Sequence, residues 1–125
     1  MPHLLLEHTE NLAAPLDHRA VLAELHQVMA RTGEFKEADI KGRITAYQHH
    51  HVGDGDQKRV YAHLTVSIMS GRSLEFRKQL SADLLAVLRH AFAKSYDERP
   101  CDLTIDIREM VRETYAKNAN PASRA

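Results

Sequence analysis

The chain holds one cysteine, Cys101, so an internal disulfide framework is excluded and a reducing compartment suits the free thiol. Neither sign of charge is in surplus: Lys and Arg number 17, Asp and Glu 17. No general attraction to nucleic acid or to a membrane surface follows, and neither is expected as a partner. No apolar run approaches the roughly 20 residues of a bilayer-spanning helix. The N-terminus turns polar within seven residues, so no cleaved leader is expected. At 125 residues and a hydrophobic fraction of 43%, the composition is that of one globular domain, 1–125, expected to be soluble and cytoplasmic.

What is present is an ordered succession of patterns. Pro2, Leu4 and Leu6 alternate with His3, Leu5 and Glu7, which predicts a first strand over residues 2–9. Asp17 reads as an N-cap, Val21, Leu22, Leu25, Val28 and Met29 recur at helical spacing, and Gly33 ends that helix. Ile40, Gly42, Ile44 and Ala46 alternate with Lys41, Arg43, Thr45 and Tyr47 in a second strand. The polar stretch 48–58, with Gly53-Asp54-Gly55-Asp56, is a turn. A third strand is predicted over Val60 to Met69. Ser73 then caps a longer helix whose stripe is Phe76, Leu80, Leu84, Val87, Leu88 and Ala91. Pro100 closes the connection, and Cys101, Leu103, Ile105 and Ile107 mark a fourth strand. The tail 111–125 is polar and from Asn118 has the composition of a frayed end.

The expected class is α+β: two consecutive β-α-β units, about 2–48 and 60–110, forming a four-stranded sheet with two helices on one face. Pro2-His3-Leu4 and Ala62-His63-Leu64 head corresponding strands, so the units read as a pseudo-repeat. The other face carries Leu5 and Tyr61 among His, Thr and Ser. It is only partly apolar, and a second subunit is expected to cover it.

Four residues carry candidate chemistry. If Met1 is removed, Pro2 becomes the one residue whose backbone nitrogen is a free secondary amine, whereas a retained Met1 makes that nitrogen an amide without a basic lone pair. An ordinary α-amino group titrates at about 7.7–8.0. Burial and nearby cations lower that value toward neutrality, where a general base works best. Arg72 stands at a helix start, where free backbone N–H groups favour anions. Lys41 and Arg43 share one strand face. These three cations suit the carboxylates of an acid, arginine by a two-pronged bond. On the residues alone, a proline that merely promotes methionine removal and a set of solvated charges are the alternatives. His49-His50-His51 alternate in direction on a strand and lack fixed geometry on a loop, so no metal site is expected. His3 and His63 are expected to pack at the sheet face or a subunit contact, and Cys101 to be a small core residue.

The Met-Pro strand, the two units, Gly71-Arg72-Ser73-Leu74-Glu75 and Ile105-Asp106-Ile107-Arg108-Glu109-Met110 resemble the tautomerase superfamily. Within it, the length and Ile40-Lys41-Gly42-Arg43 are most similar to the 5-carboxymethyl-2-hydroxymuconate delta-isomerase family, over roughly residues 2–118. The second half alone is similar to the short 4-oxalocrotonate tautomerase subunit, with Ala62 where that enzyme has its proline. The resemblance implies an isomerase of homoprotocatechuate catabolism, without metal or organic cofactor, that moves a proton within a conjugated 2-hydroxymuconate-type acid. It implies Pro2 as the base and acid, a small di- or tricarboxylate as substrate, and a homotrimer whose sheets enclose a central barrel. Relatives often place arginine where Lys41 stands; lysine keeps the charge and loses the bidentate geometry. Tyr115, Lys117 and Asn118 lie in a tail that in relatives helps close the site, and are further candidates for substrate contact. Two other readings stay open. One is a tautomerase of the same fold acting on phenylpyruvate or another 2-hydroxymuconate. The other is a non-catalytic trimer that binds a small acid or a protein.

Overall fold

The computed structural model describes residues 1–124. Its strands are β1 (His3–Thr9), β2 (Lys41–Tyr47), β3 (Val60–Met69) and β4 (Cys101–Met110), joined in one sheet in the order β2-β1-β3-β4. β1 runs parallel to β2 and β3 parallel to β4, while β1 and β3 are antiparallel. The two β-α-β units therefore meet along the β1–β3 ladder, with Leu4 opposite Val66 and Leu6 opposite Leu64.

Alternation decides which face is covered. β3 switches between buried and half-buried at every residue, and Val60, Ala62, Leu64, Val66 and Ile68 all point to the helices. Leu4 and Leu6 of β1 join them, fully buried. Against this layer lie α1 (His18–Arg31) and α2 (Leu74–Ala91), through Val21, Leu25 and Met29 and through Leu80, Leu84 and Leu88. Removing each such side chain from water contributes about 1.5–3 kcal/mol, so the core rather than helix propensity holds the layers together.

The helix starts follow the sequence. Asp17 accepts from Ala20 N–H at 3.1 Å and Ser73 from Phe76 N–H at 3.1 Å. Gly33, at φ 78°, ends α1 with its N–H on the Ala30 carbonyl at 3.1 Å, a left-handed conformation that glycine adopts without steric cost. Among the described residues no helix is long and apolar enough to cross a membrane.

Three expectations need correction. A third helix, α3 (Ala93–Glu98), follows α2 directly, pivoting on the buried Phe92. Its Ser95 Oγ accepts from Ala13 N–H at 2.9 Å and ties it to the loop after β1. Cys101 is half-buried rather than part of the core, lining a groove of about 690 Å³ with Leu85, Ala86 and Tyr96. The tail does not fray from Asn118: Pro121–Arg124 form a 3-10 turn that packs against the 3-10 turn Glu37–Asp39. The last residue, Ala125, lies outside the described residues.

Two close approaches on the covered face have consequences. The His26 ring of α1 sits over Gly42 of β2, where a β-carbon would fall 2.5 Å from His26 Nε2 and 3.1 Å from Leu22 Cδ2. Gly42 thus lets α1 press on the strand between Lys41 and Arg43. Gly42→Ala should cost about 1–3 kcal/mol by overpacking, read from the urea midpoint, and much less in a His26→Ala background.

At the other end of β1, His8 is 3% exposed, edge-on to Phe92 with centroids 5.7 Å apart. Its Nδ1–H donates to the Thr9 carbonyl at 2.6 Å. Burial holds its pKa below the ordinary 6.5, opposed by the Thr9 bond and helped by His18. The unfolded chain binds this proton at higher pH than the folded one. Stability present above pH 6.5 is therefore lost as the pH falls below it toward the folded value. Calorimetry from pH 7.5 to 5 should show a falling Tm in the native chain and a flatter slope in His8→Asn, which keeps a donor toward Thr9.

Candidate active site

Pro2 immediately precedes β1, an interior strand with a partner on each side. It is buried, and its carbonyl accepts from Lys41 N–H at 3.1 Å. The residue that would carry a free secondary amine is thereby fixed by the β1–β2 ladder as firmly as the strand behind it. Met1 stands ahead of it, half-exposed.

Charges gather around this point from four segments. The Met1 amine is held below its ordinary pKa of 8.0, chiefly by burial; Asp39 opposes this, and Lys117, Arg72 and Lys41 add to it. Both burial and cations disfavour a protonated amine, so the local field favours the free base. Lys41 heads β2 and is exposed, with its Nζ donating to the Asp39 carbonyl at 3.1 Å. Lys117, in the tail, brings its Nζ to 2.8 Å from Met1 Sδ and 2.9 Å from Asp39 Oδ1.

Arg72 lies between β3 and α2, anchored by its own shape. Its Nη1 donates to the Met69 carbonyl at 3.3 Å and its Nη2 to the Glu34 carbonyl at 3.1 Å. The guanidinium lies over the Phe35 ring, 4.4 Å from the centroid, a cation–π contact that fixes its plane. Glu34 Oε1 is 3.7 Å from Nε, too far for a hydrogen bond, so this buried N–H has no acceptor among the described residues. A planar cation with a donor left over is suited to a carboxylate.

The remaining candidates divide. On the sheet face away from the helices, Tyr115 Oη meets His3 Nε2 at 2.9 Å, and burial, then Lys41, Arg43 and the N-terminus hold the His3 pKa down. Arg43 is exposed on that face and acts on His3; it is not among the charges that act on the terminal amine. Asn118 is exposed, and its side chain makes no hydrogen bond among the described residues. His63 bonds Thr104 Oγ1 at 2.7 Å on the same face. His49-His50-His51 lie in the loop after β2; among the described residues no group of three or more His, Cys, Asp or Glu is placed to hold a metal. The groove beside Cys101 contains none of the candidate site residues.

Asp39 is the member of this cluster that sequence reasoning missed. It sits in a short 3-10 turn with no periodic pattern, and its one signal was an acid two positions ahead of Lys41.

Residues 2–124 match the model of the 5-carboxymethyl-2-hydroxymuconate isomerase family. The 5-carboxymethyl-2-hydroxymuconate Delta-isomerase of Escherichia coli is 30% identical over 110 residues, 88% of this chain and 87% of that protein. The crystal structure of a 5-carboxymethyl-2-hydroxymuconate isomerase from Deinococcus radiodurans R1 superposes with a TM-score of 0.88 at 31% identity, covering 95% of this chain and 90% of that one. A fused 4-OT symmetric trimer shares the fold, with a TM-score of 0.70 at 15% identity over 88% and 86% of the two chains.

Proposed function

Because the chain belongs to the 5-carboxymethyl-2-hydroxymuconate isomerase family and is an enzyme of the isomerase type, we propose that Pro2, exposed by loss of Met1, is its proton shuttle. The substrate in this reading is 5-carboxymethyl-2-hydroxymuconate, which leaves as its 2-oxo isomer. The proline nitrogen takes the 2-hydroxyl proton, the O–H electron pair becomes the C2=O bond, and the diene electrons shift outward. The prolinium then returns the proton to the distal carbon of the conjugated chain. Atoms and electrons balance within one molecule, so the step as written calls for no external oxidant, reductant or cofactor.

The observation that carries this reading is the gathering of Arg72, Lys41 and Lys117 around the N-terminal end of β1, where they act on the Met1 amine one residue ahead of the buried Pro2. These cations do two things. They disfavour protonation of an amine at this end of the sheet, and they bind the carboxylates beside the 2-oxo group, where negative charge grows in the transition state. Arg72 is the bidentate member, Lys41 and Lys117 are point charges. Arg43 and Tyr115, beside His3 on the sheet face away from the helices, belong to this reading as contacts to a more distant carboxylate or as groups that hold the tail. Asn118 extends the same tail.

A homotrimer completes the proposal. The face bearing Leu5, Tyr61, Thr65, Ser67 and Met69 has no helix over it and is half-buried, as a sheet that awaits a second layer would be. A single half-buried thiol suits the reducing cytoplasm where we place the enzyme.

An ultraviolet assay on the enol acid tests the chemistry, with intact mass establishing that Met1 is gone. Pro2→Ala, left with a primary amine, should lose about 10²–10⁴-fold in kcat with little change in KM. Arg72→Ala should raise KM roughly ten- to hundredfold, the worth of a charge-assisted hydrogen bond. Native rates in both variants would refute the assignment. Analytical ultracentrifugation at three times the chain mass supports the trimer, and a monomer mass opposes it.

A further inference from the structure

The cations at the N-terminus already hold a carboxylate that belongs to the protein. Asp39 Oδ1 lies 2.9 Å from Lys117 Nζ, with the two side chains 26% and 29% exposed. With Met1 in place the same ammonium lies 2.8 Å from its Sδ, so the arm that Asp39 grips reaches the residue next to Pro2, and loss of Met1 leaves Asp39 as its partner. The Asp39 carbonyl meanwhile accepts from Lys41 Nζ at 3.1 Å. A few residues on, Pro121–Arg124 fold back onto Glu37–Asp39, so the tail is fastened to this turn at two points. Hydrogen bonding from Lys117 holds the Asp39 carboxyl below its ordinary range, as expected of a carboxylate paired with an ammonium.

We propose that Asp39 is a positioning residue that stands in for a substrate carboxylate: it clamps Lys117 across the N-terminus in the empty site and yields it to the incoming acid. This deepens the anionic-acid reading of the site and rests on it. One carboxylate is exchanged for another, so the lysine is never left uncompensated in a half-buried place, where an unpaired charge is costly. The tail stays placed in both states. The cost is competition, because the substrate must displace an anion that is tethered nearby.

Asp39 also acts on the N-terminus. Among the influences on the Met1 amine, burial, Lys117, Arg72 and Lys41 lower its proton affinity, and Asp39 raises it. On β1 the neighbouring titratable group is His3, whose pKa burial and cations depress, so it is neutral near pH 7 and adds no opposing charge. Glu34, the remaining nearby acid, is engaged with Arg72. The Pro2 nitrogen that succeeds Met1 lies one residue on among the same charges, so in the mature protein loss of the Asp39 charge should shift its pKa downward and move the acid limb of kcat/KM to lower pH.

The test measures turnover of the enol acid and calorimetric binding of adipate, an unreactive dicarboxylate, in four mature proteins: native, Asp39→Asn, Lys117→Met and the double variant. Asp39→Asn should lower KM and the adipate Kd roughly two- to fivefold, the strength of a partly exposed ion pair, with kcat nearly unchanged. Lys117→Met should raise both constants, and in its background Asp39→Asn should change neither. A KM and Kd that stay level or rise in Asp39→Asn would overturn the proposal, as would the same fall with and without Lys117. Should Asp39→Asn not fold, Asp39→Ser carries the same comparison. An active Pro2→Ala protein sinks the proline base and leaves the adipate arm standing, whereas a flat adipate series sinks the clamp alone.

Discussion

Residues beside a chain terminus are ordinarily loose, and here Pro2, the second residue, is buried and held by the sheet. The reason is that β1 is interior to the sheet, with β2 hydrogen-bonded along one edge and β3 along the other. Pro2 inherits that constraint through its carbonyl's bond to Lys41 N–H, and Leu4 and Leu6 lock the strand to the helices two and four residues on. In the proposed role, a ring nitrogen held in this way would lose little ordering entropy on meeting a substrate. The α+β layering turns the segment beside a terminus into a fixed point.

The electrostatics follow from the same topology. The parallel pairing of β1 with β2 puts Lys41 beside the strand start, and the turn after β3 brings Arg72 to the same end of the sheet. Neither position is set by neighbouring sequence; both are set by register. Gly42 keeps that register compatible with α1, since a larger residue would push against His26 and move the strand that carries Lys41. Glu34 and Asp39 temper the cluster without neutralising it: Arg72 retains an N–H without an acceptor, and Lys41 has no carboxylate partner among the described residues.

Local pattern made much of this legible. The alternation in Val60–Met69, the caps Asp17 and Ser73 and the glycine at 33 each encode their element within a few residues, and each is where the pattern put it. The resemblance of the Met-Pro strand and Gly71-Arg72-Ser73 pointed to the family to which the chain belongs. What stayed hidden depends on distant partners. α3 continues the helical spacing of α2 past Phe92 and is fixed by a bond from Ala13, 82 positions away. The tail looks free in composition, yet Lys117 is 78 positions from the aspartate that holds it. Asp39 itself has no periodicity to betray it.

The convergence of both ends of the chain has a practical side. A purification handle ahead of Pro2 would keep its nitrogen acylated, and one appended to the tail would crowd the turn at Glu37–Asp39. The connection between β2 and β3 lies at the opposite end of the sheet, beyond the Thr9–Tyr47 pair, and presents Gly53 and Asp54 to solvent. A fluorophore or affinity label grafted into that loop would report on the molecule from a distance, leaving the end of the sheet that carries Pro2 untouched.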